Sequence, residues 1–352
     1  MENGQADVIK QFSWKKIGLW LALGIGISVY LVVTTFKPEA LRAVTISSHL
    51  VLGLFLAALT VVVRDMAYIY RIREVTGRKL SWGKAFEVVM LWEFGSAITP
   101  GAVGGIALAF FVLEKEGVSY GRSSATVMLT TFVDNLAFVV VFTIMYFLLG
   151  NNMFVVSTIC PDLEGHQIMQ GIRSLADKTW IGYVIMLSIT VLLGLGIFVF
   201  PHTAKNLLHK IANWKIFSRF KKSLMHQGEE IELASNEFKS QSAAFWVKIT
   251  SATFISWIAR YLLANALLFA FANVDLNMTE VLARQYLLWL FLIIPSTPGA
   301  SGLAEISFVA MNCEFMPTGL SAAIALIWRI YNYYLYLVIG AIILPKWLKR
   351  VA

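Results

Sequence analysis

Hydrophobic positions along the chain come in long unbroken runs. Runs near residues 17–35, 45–63, 124–149, 180–200, 244–271 and 320–344 approach the roughly 20 residues a helix needs to cross a hydrocarbon layer about 30 Å thick. The pattern predicts six spanning helices. Two further apolar stretches, 85–113 and 283–311, are each broken in the middle by proline and glycine. Each arm has about 13 residues and covers about 20 Å at about 1.5 Å per residue, too little to cross. These stretches read as re-entrant helical hairpins.

Composition narrows the class. Of 352 residues, 58% are hydrophobic and 14% charged, against a charged share of about 25% in soluble domains. This excludes disorder and argues for a single integral membrane domain over 1–352. The net charge of +8 alone would permit a nucleic-acid partner, but its distribution does not point there. Basic residues collect between the apolar runs, at Lys10 to Lys16, Arg64 to Lys84, Lys115 and Arg122, Lys205 to Lys239 and Lys346 to Arg350. With both termini cytoplasmic, six spans put all of these inside, and Lys37, Arg42, Arg173, Lys178 and Arg284 outside. That is the positive-inside bias of a multi-pass protein of a bacterial-type inner (plasma) membrane. Met1 to Lys16 is polar and no small-residue cleavage site follows, so the first helix is expected to be uncleaved.

The chain also resembles itself. Thr99-Pro100-Gly101-Ala102-Val103-Gly104 recurs as Thr297-Pro298-Gly299-Ala300-Ser301-Gly302, and the offset of 198 persists without a gap from Phe94/Leu292 to Asn135/Tyr333. Phe110/Phe308, Glu116/Glu314, Gly121/Gly319, Ser123/Ser321, Ala125/Ala323 and the near match Asp134/Asn332 fall along it. The expected unit is two helices, a hairpin and a third helix. One copy occupies 17–149 and the other 180–200 plus 243–344. Three spans precede the second copy, which inverts its orientation. Between the copies, 201–242 is a polar insertion in which Leu207, Leu208, Ile211, Trp214, Phe217, Phe220 and Leu224 recur at helical spacing among lysines and arginines. A basic amphipathic helix on the anionic inner leaflet fits, and so does a helix packed on the protein's own cytoplasmic loops.

Candidate chemistry begins at the hairpin tips. Thr99 and Thr297 are placed to cap the second half-helix of each hairpin, with Pro100 and Pro298 at the first helical position, where a missing N–H costs nothing. Both half-helices then aim free N–H groups and positive dipole ends into the membrane interior, a site for an anion such as phosphate. Alternatively, Gly101, Gly104 and Gly105 only allow close helix crossing. Charges inside spans are costly and therefore functional candidates: Arg260 and Arg329 in mid-helix, Asp134, Glu305 after the second tip, Glu93 before the first, and Arg64 as a mirror of Arg260. Asn332 stands opposite Asp134 in the repeat. Arg260 and Arg329 can equally pair with Glu305 or Asp134 for structure alone.

Enzymatic signals fail. Gly117-Val118-Ser119-Tyr120-Gly121 fits G-x-S-x-G, but in a polar loop with no strand before it. The five histidines are scattered and form no H-E-x-x-H, so no metal or other cofactor is indicated. A phosphate-cradling G-x-x-x-x-G-K-[ST] is absent, leaving ATP drive within this chain unsupported. Cys160 and Cys313 both fall outside in this topology; free thiols are the default expectation and a disulfide the alternative.

Thr99-Pro100-Gly101-Ala102-Val103-Gly104-Gly105 and Ile294-Pro295-Ser296-Thr297-Pro298-Gly299-Ala300-Ser301-Gly302-Leu303-Ala304-Glu305, set among arginine-bearing helices, resemble the transmembrane lysylphosphatidylglycerol synthase/flippase-like family. The resemblance spans about Lys16 to Lys346 and implies translocation of a lipid or a lipid-linked anionic head group. Pro298, Gly299, Gly302 and Glu305 match its second motif best, while the first copy has Ala107 where the second has Glu305. Nothing resembles the soluble aminoacyl-transferring domain of bifunctional members. The expectation is an all-α integral membrane protein with six transmembrane helices and two opposed re-entrant hairpins in an inverted-topology repeat. It would act as a flippase for anionic membrane lipids, not as an enzyme. A small-anion transporter or channel and an intramembrane enzyme acting on polyprenyl-phosphate lipids are the alternatives. The oligomeric state is not legible.

Overall fold

Serine opens three of the helices. Ser47 Oγ accepts from Leu50 N at 3.2 Å, Ser81 Oγ from Lys84 N at 3.3 Å and Ser242 Oγ from Phe245 N at 3.3 Å, each meeting one of the donors a helix start leaves unpaired. In the computed structural model the described residues are 46–99, 103–154, 160–163, 178–214, 221–272, 276–292 and 298–351, with scattered positions elsewhere. The expected first span, 17–35, lies almost wholly outside them, as do Pro100, Gly101 and Thr297.

The chain is an all-helical, multi-span membrane protein. The helices, in order, are α1 (Ser48–Val75), α2 (Trp82–Ile98), α3 (Val103–Lys115), α4 (Tyr120–Leu149), α5 (Thr179–Gly194), α6 (Pro201–Ala212), α7 (Lys221–Phe238), α8 (Ala243–Phe271), α9 (Met278–Leu292), α10 (Leu303–Asn312), α11 (Ser321–Arg329) and α12 (Leu335–Val351). Among the described residues five stretches are long and apolar enough to cross a membrane: Ser48–Val75, Arg122–Phe154, Thr179–Val199, Ala243–Phe271 and Ser321–Val351. The last joins α11 to α12 through a π-helical segment, Ile330–Tyr334, an insertion of the kind often found at functional sites.

Close backbone approach organises the packing. The α1 and α8 helices run along each other, and a Cβ placed on Gly53 would sit 2.5 Å from the Ala270 Cβ. The short α2 and α3 helices fold on one another where Gly95 meets Gly105, and α12 lies on α2 with Gly340 against the Phe94 ring. The Pro298–Ala300 turn ahead of α10 touches α2. Tyr333 of the π segment donates to the Ala97 carbonyl at 3.1 Å.

Four sequence expectations change here. The second span does not stop near 63 but continues to Val75, because Arg64 and Arg71 find acidic partners on other helices and need no water. Arg284 is not an exposed outer charge. It is buried in α9, binding Glu280, the Met311 carbonyl, and Glu314 at 2.7 Å. Cys160 and Cys313 are joined in a disulfide with their Cα atoms 5.6 Å apart, tying the loop before Pro161 to the end of α10. The insertion forms two helices, α6 and α7, packed on each other. Lys205 of α6 binds Glu229 at 2.7 Å and Glu232 at 2.6 Å, while Arg122 at the foot of α4 binds Glu237 at 2.6 Å.

Candidate functional site

Spacing along α1 builds one half of the site. Arg64, Tyr68 and Arg71 stand at i, i+4 and i+7, one face of a helix, and that face meets α2, α4 and α8. The Arg64 Nη2 lies 2.8 Å from Glu93 Oε2, and the Arg260 Nη2 donates to Glu93 Oε1 at 2.6 Å. One carboxylate of α2 therefore bridges an arginine of α1 and an arginine of α8. The neighbouring Asp65 lies 3.6 Å from Arg64 Nε and accepts from the Tyr336 hydroxyl of α12 at 2.9 Å. The Arg64 guanidinium sits 4.4 Å from the centre of the Tyr336 ring, and that of Arg260 5.3 Å from the Trp257 ring, both close enough for cation–π attraction.

A second node lies farther along the same face. Arg71 donates through Nη1 and Nη2 to the two Asp134 oxygens of α4 and reaches Thr253 Oγ1 at 2.9 Å. Tyr68 OH at 3.2 Å and Trp257 Nε1 at 2.6 Å donate to the same carboxylate. The two nodes differ in access. The Arg64 and Arg71 side chains are 2% and 0% exposed, whereas Arg260 keeps 19% of its surface open.

The third node is the second proline-glycine motif. Gly299, Ala300 and Gly302 take positive φ of 58°, 52° and 92°, and a Cβ on Gly299 would strike the Tyr333 ring at 2.1 Å, so glycine is required there. The Gly302 N–H donates to Glu305 Oε2 at 2.8 Å, the carboxylate of the third helical residue turning back to cap its own helix. Arg329 holds Glu305 Oε1 through Nε at 2.8 Å and the Gly299 carbonyl through Nη2 at 2.8 Å. At the start of α10 the backbone donor of Gly302 is thus already engaged, and Arg329 serves the turn.

Of the residues singled out by sequence, Arg64, Glu93 and Arg260 come together, as do Gly299, Gly302, Glu305 and Arg329, while Asp134 pairs with Arg71. Pro298 opens the turn before α10. Thr99 Oγ1 donates back to the Gly95 carbonyl at 2.7 Å, and Gly104 leaves room for its side chain. Asn332 lies in the π segment, and its Oδ1 has no hydrogen-bond partner. Sequence reasoning missed Asp65, Tyr68, Arg71, Trp257, Tyr333 and Tyr336. The i, i+4, i+7 spacing of Arg64, Tyr68 and Arg71 was the available signal. Arg64, Arg71, Arg260 and Arg329 thus pair with Asp65, Glu93, Asp134 and Glu305. Among the described residues no group of three or more His, Cys, Asp or Glu is placed to hold a metal ion.

A family model described as the lysylphosphatidylglycerol synthase TM region matches residues 20–340. A protein described as a UPF0104 membrane protein, from Archaeoglobus fulgidus, is 22% identical over 278 residues, covering 76% of each chain.

Proposed function

The chain belongs to the lysylphosphatidylglycerol synthase transmembrane family, and from that premise we propose that it moves an anionic phospholipid, or a lipid-linked phosphate head group, between leaflets. In this reading 85–113 and 283–311 are re-entrant hairpins of an inverted repeat, entering from opposite faces, with six spans around them and both termini cytoplasmic. The membrane is a bacterial-type inner membrane. The phosphate is held near the hairpin tips while the acyl or prenyl tails stay in hydrocarbon, so only the head group has to be carried through the protein.

One observation carries the reading. Arg260 lies in the middle of a 29-residue apolar helix, where a charge costs about 2.5 to 3.5 kcal/mol on insertion scales. It shares its carboxylate with Arg64 and keeps 19% of its side chain exposed. An incoming phosphate can take the exposed part, and Glu93 retains Arg64 as its partner. Arg329 and Glu305 hold the second tip in shape beside α2. Rocking of one repeat against the other then exposes Arg260 to the opposite leaflet.

The test is reconstitution of the full chain into vesicles containing phosphatidylglycerol with a fluorescent head group. Protein-dependent loss of label protection is expected, abolished in Arg260→Ala. Absence of movement for every anionic lipid tried, or unchanged movement in both Arg260→Ala and Arg329→Ala, overturns the proposal.

A further inference from the structure

The α6 helix turns its charges toward the protein and its large apolar side chains away from it. Lys205 binds Glu229 at 2.7 Å and Glu232 at 2.6 Å on α7, His202 lies 2.9 Å from Glu232, and His209 lies 3.6 Å from Glu229. Positions 202, 205 and 209 share one face of the helix. The backbones are close on that side, where a Cβ on Gly228 of α7 would lie 3.3 Å from the Lys205 carbonyl oxygen. The opposite face carries Thr203, Leu207, Lys210 and Trp214, at i, i+4, i+7 and i+11. All four are exposed, Leu207 by 56% and Trp214 by 59%. A helix lying between a protein surface and water shows the reverse order, apolar side in and polar side out.

The place of α6 in the chain says what meets this face. The span Thr179–Val199 leads into α6 without a linker, Pro201 being the first residue of the helix, and Val199 and Phe200 at the junction are 54% and 55% exposed. The helix therefore starts where the chain leaves the hydrocarbon. Tryptophan is enriched at that boundary, and a lysine there lays its methylenes on apolar surface while its ammonium stays among the head groups. Charge then selects the lipid. From Pro201 to Lys222 the sequence has five lysines, one arginine and no acid. Lys205 is taken up by α7, while Lys210, Lys221 and Lys222 are exposed. An anionic leaflet offers the complementary charge.

We infer that α6 is an interfacial helix, held on one side by the glutamates of α7 and laid with Thr203, Leu207, Lys210 and Trp214 on a bilayer surface rich in anionic phospholipid. The two partners the sequence allowed for this insertion, a leaflet and the protein's own helices, thus belong to opposite faces of one helix. The inference stands whether or not the chain moves lipid.

Cys160 and Cys313 are the only cysteines in the sequence and are joined, so a cysteine introduced on α6 is the one free thiol and takes a nitroxide label selectively. The full chain is labelled as Leu207→Cys, as Trp214→Cys and, on the flank of the helix, as Asn206→Cys. Each is reconstituted in vesicles of phosphatidylcholine with phosphatidylglycerol and in vesicles of phosphatidylcholine alone. Collisions with oxygen, which concentrates in hydrocarbon, and with a water-soluble nickel chelate report the depth of each label. With phosphatidylglycerol present, the labels at 207 and 214 are expected to meet oxygen and to be shielded from nickel, while the label at 206 stays open to nickel. Lys210→Ala in the labelled Leu207→Cys chain should weaken the partition about fivefold, the loss of one lysine's attraction to an anionic surface, and omitting phosphatidylglycerol should weaken it further. Nickel access at 207 and 214 equal to that at 206 in phosphatidylglycerol vesicles overturns the inference. Shielding that is the same in both kinds of vesicle and in Lys210→Ala also overturns it, since the face is then covered without an anionic surface. Spin–spin broadening that vanishes when labelled chain is diluted with unlabelled chain overturns it in favour of a second copy on this face.

Discussion

Glu93 on α2 binds Arg260 at 2.6 Å and Arg64 at 2.8 Å through different oxygens, so each arginine can leave without orphaning the carboxylate. Arg329 and Glu305 are both almost wholly buried and pair with each other, Glu305 also accepting from the Gly302 N–H. Removing an arginine from the two places should therefore have different consequences. Arg260→Ala is expected to abolish lipid movement while changing stability by about 1 kcal/mol or less, as for partly exposed pairs. Arg329→Ala takes the arginine away from a buried carboxylate and is expected to cost about 3 to 5 kcal/mol. Denaturation in mixed micelles, alongside the vesicle assay, separates the two; equal destabilisation would refute the distinction.

Arg71 and Asp134 form another buried pair, with Arg71 fully buried. Asp134→Leu alone should lower stability by about 3 to 5 kcal/mol, because it strands a charge. The double change Asp134→Leu with Arg71→Met should recover most of that loss, since an apolar pair of similar volume replaces an ionic one. A double-mutant cycle on thermal unfolding measures this coupling. Additive losses would show that the pair does not act as a unit.

These pairs also explain what the sequence could and could not disclose. The spans were legible where hydrocarbon thickness alone sets the length: the run at 244–271 became Ala243–Phe271, and that at 124–149 falls within α4. The end of α1 was not legible. The apolar run ended at 63, when α1 runs on to Val75, because the carboxylates that neutralise Arg64 and Arg71 lie 29 and 63 positions away along the chain. Arg284 was misplaced for the same reason: its partner Glu314 belongs to a segment 30 residues on. The charged candidates themselves were found because intramembrane charge is costly wherever it stands. Which acid each arginine would meet depends on helix packing, and linear order does not encode that.

Tyr333 reaches from the π segment between α11 and α12 to the Ala97 carbonyl, linking that segment to the helix before the first proline-glycine motif. Tyr333→Phe removes the donor, with an expected loss of about 1 to 3 kcal/mol from the stranded carbonyl. Lipid movement should slow with it, as the two tips lose register. Normal movement with reduced stability would confine the bond to a structural role.

The disulfide between Cys160 and Cys313 closes a loop of 153 residues and anchors the far end of α10. Cys313→Ser is expected to lower stability by about 2 to 4 kcal/mol. In wild type, reduction by dithiothreitol should produce the same loss together with a shift in gel mobility. A protein whose unfolding ignores both reductant and substitution would not hold this bond in the membrane.

The α6–α7 pair should respond to pH, with a sign set by its charges. Hydrogen bonding to Lys205 holds the Glu232 carboxyl below the ordinary glutamate value of 4.5, and Glu229 and Glu232 together hold the Lys205 ammonium above its ordinary 10.5. His202 and His209 face the same carboxylates, at 2.9 Å from Glu232 and 3.6 Å from Glu229. A depressed carboxyl contributes stability above its ordinary value and loses it as pH falls through the lowered one. A raised ammonium contributes below its ordinary value and loses it as pH rises through the raised one. Docking of α6 on α7 is therefore expected to hold between about pH 4.5 and 10.5 and to loosen on either side. Both ion pairs are partly exposed, so molar salt should weaken them as well. Hydrogen exchange across Pro201–Phe238 at graded pH reads this directly. Glu232→Gln should raise exchange there at neutral pH and flatten most of the acid limb. A segment that exchanges identically at pH 3 and pH 7 would show that Lys205 and its two glutamates do not hold the pair together.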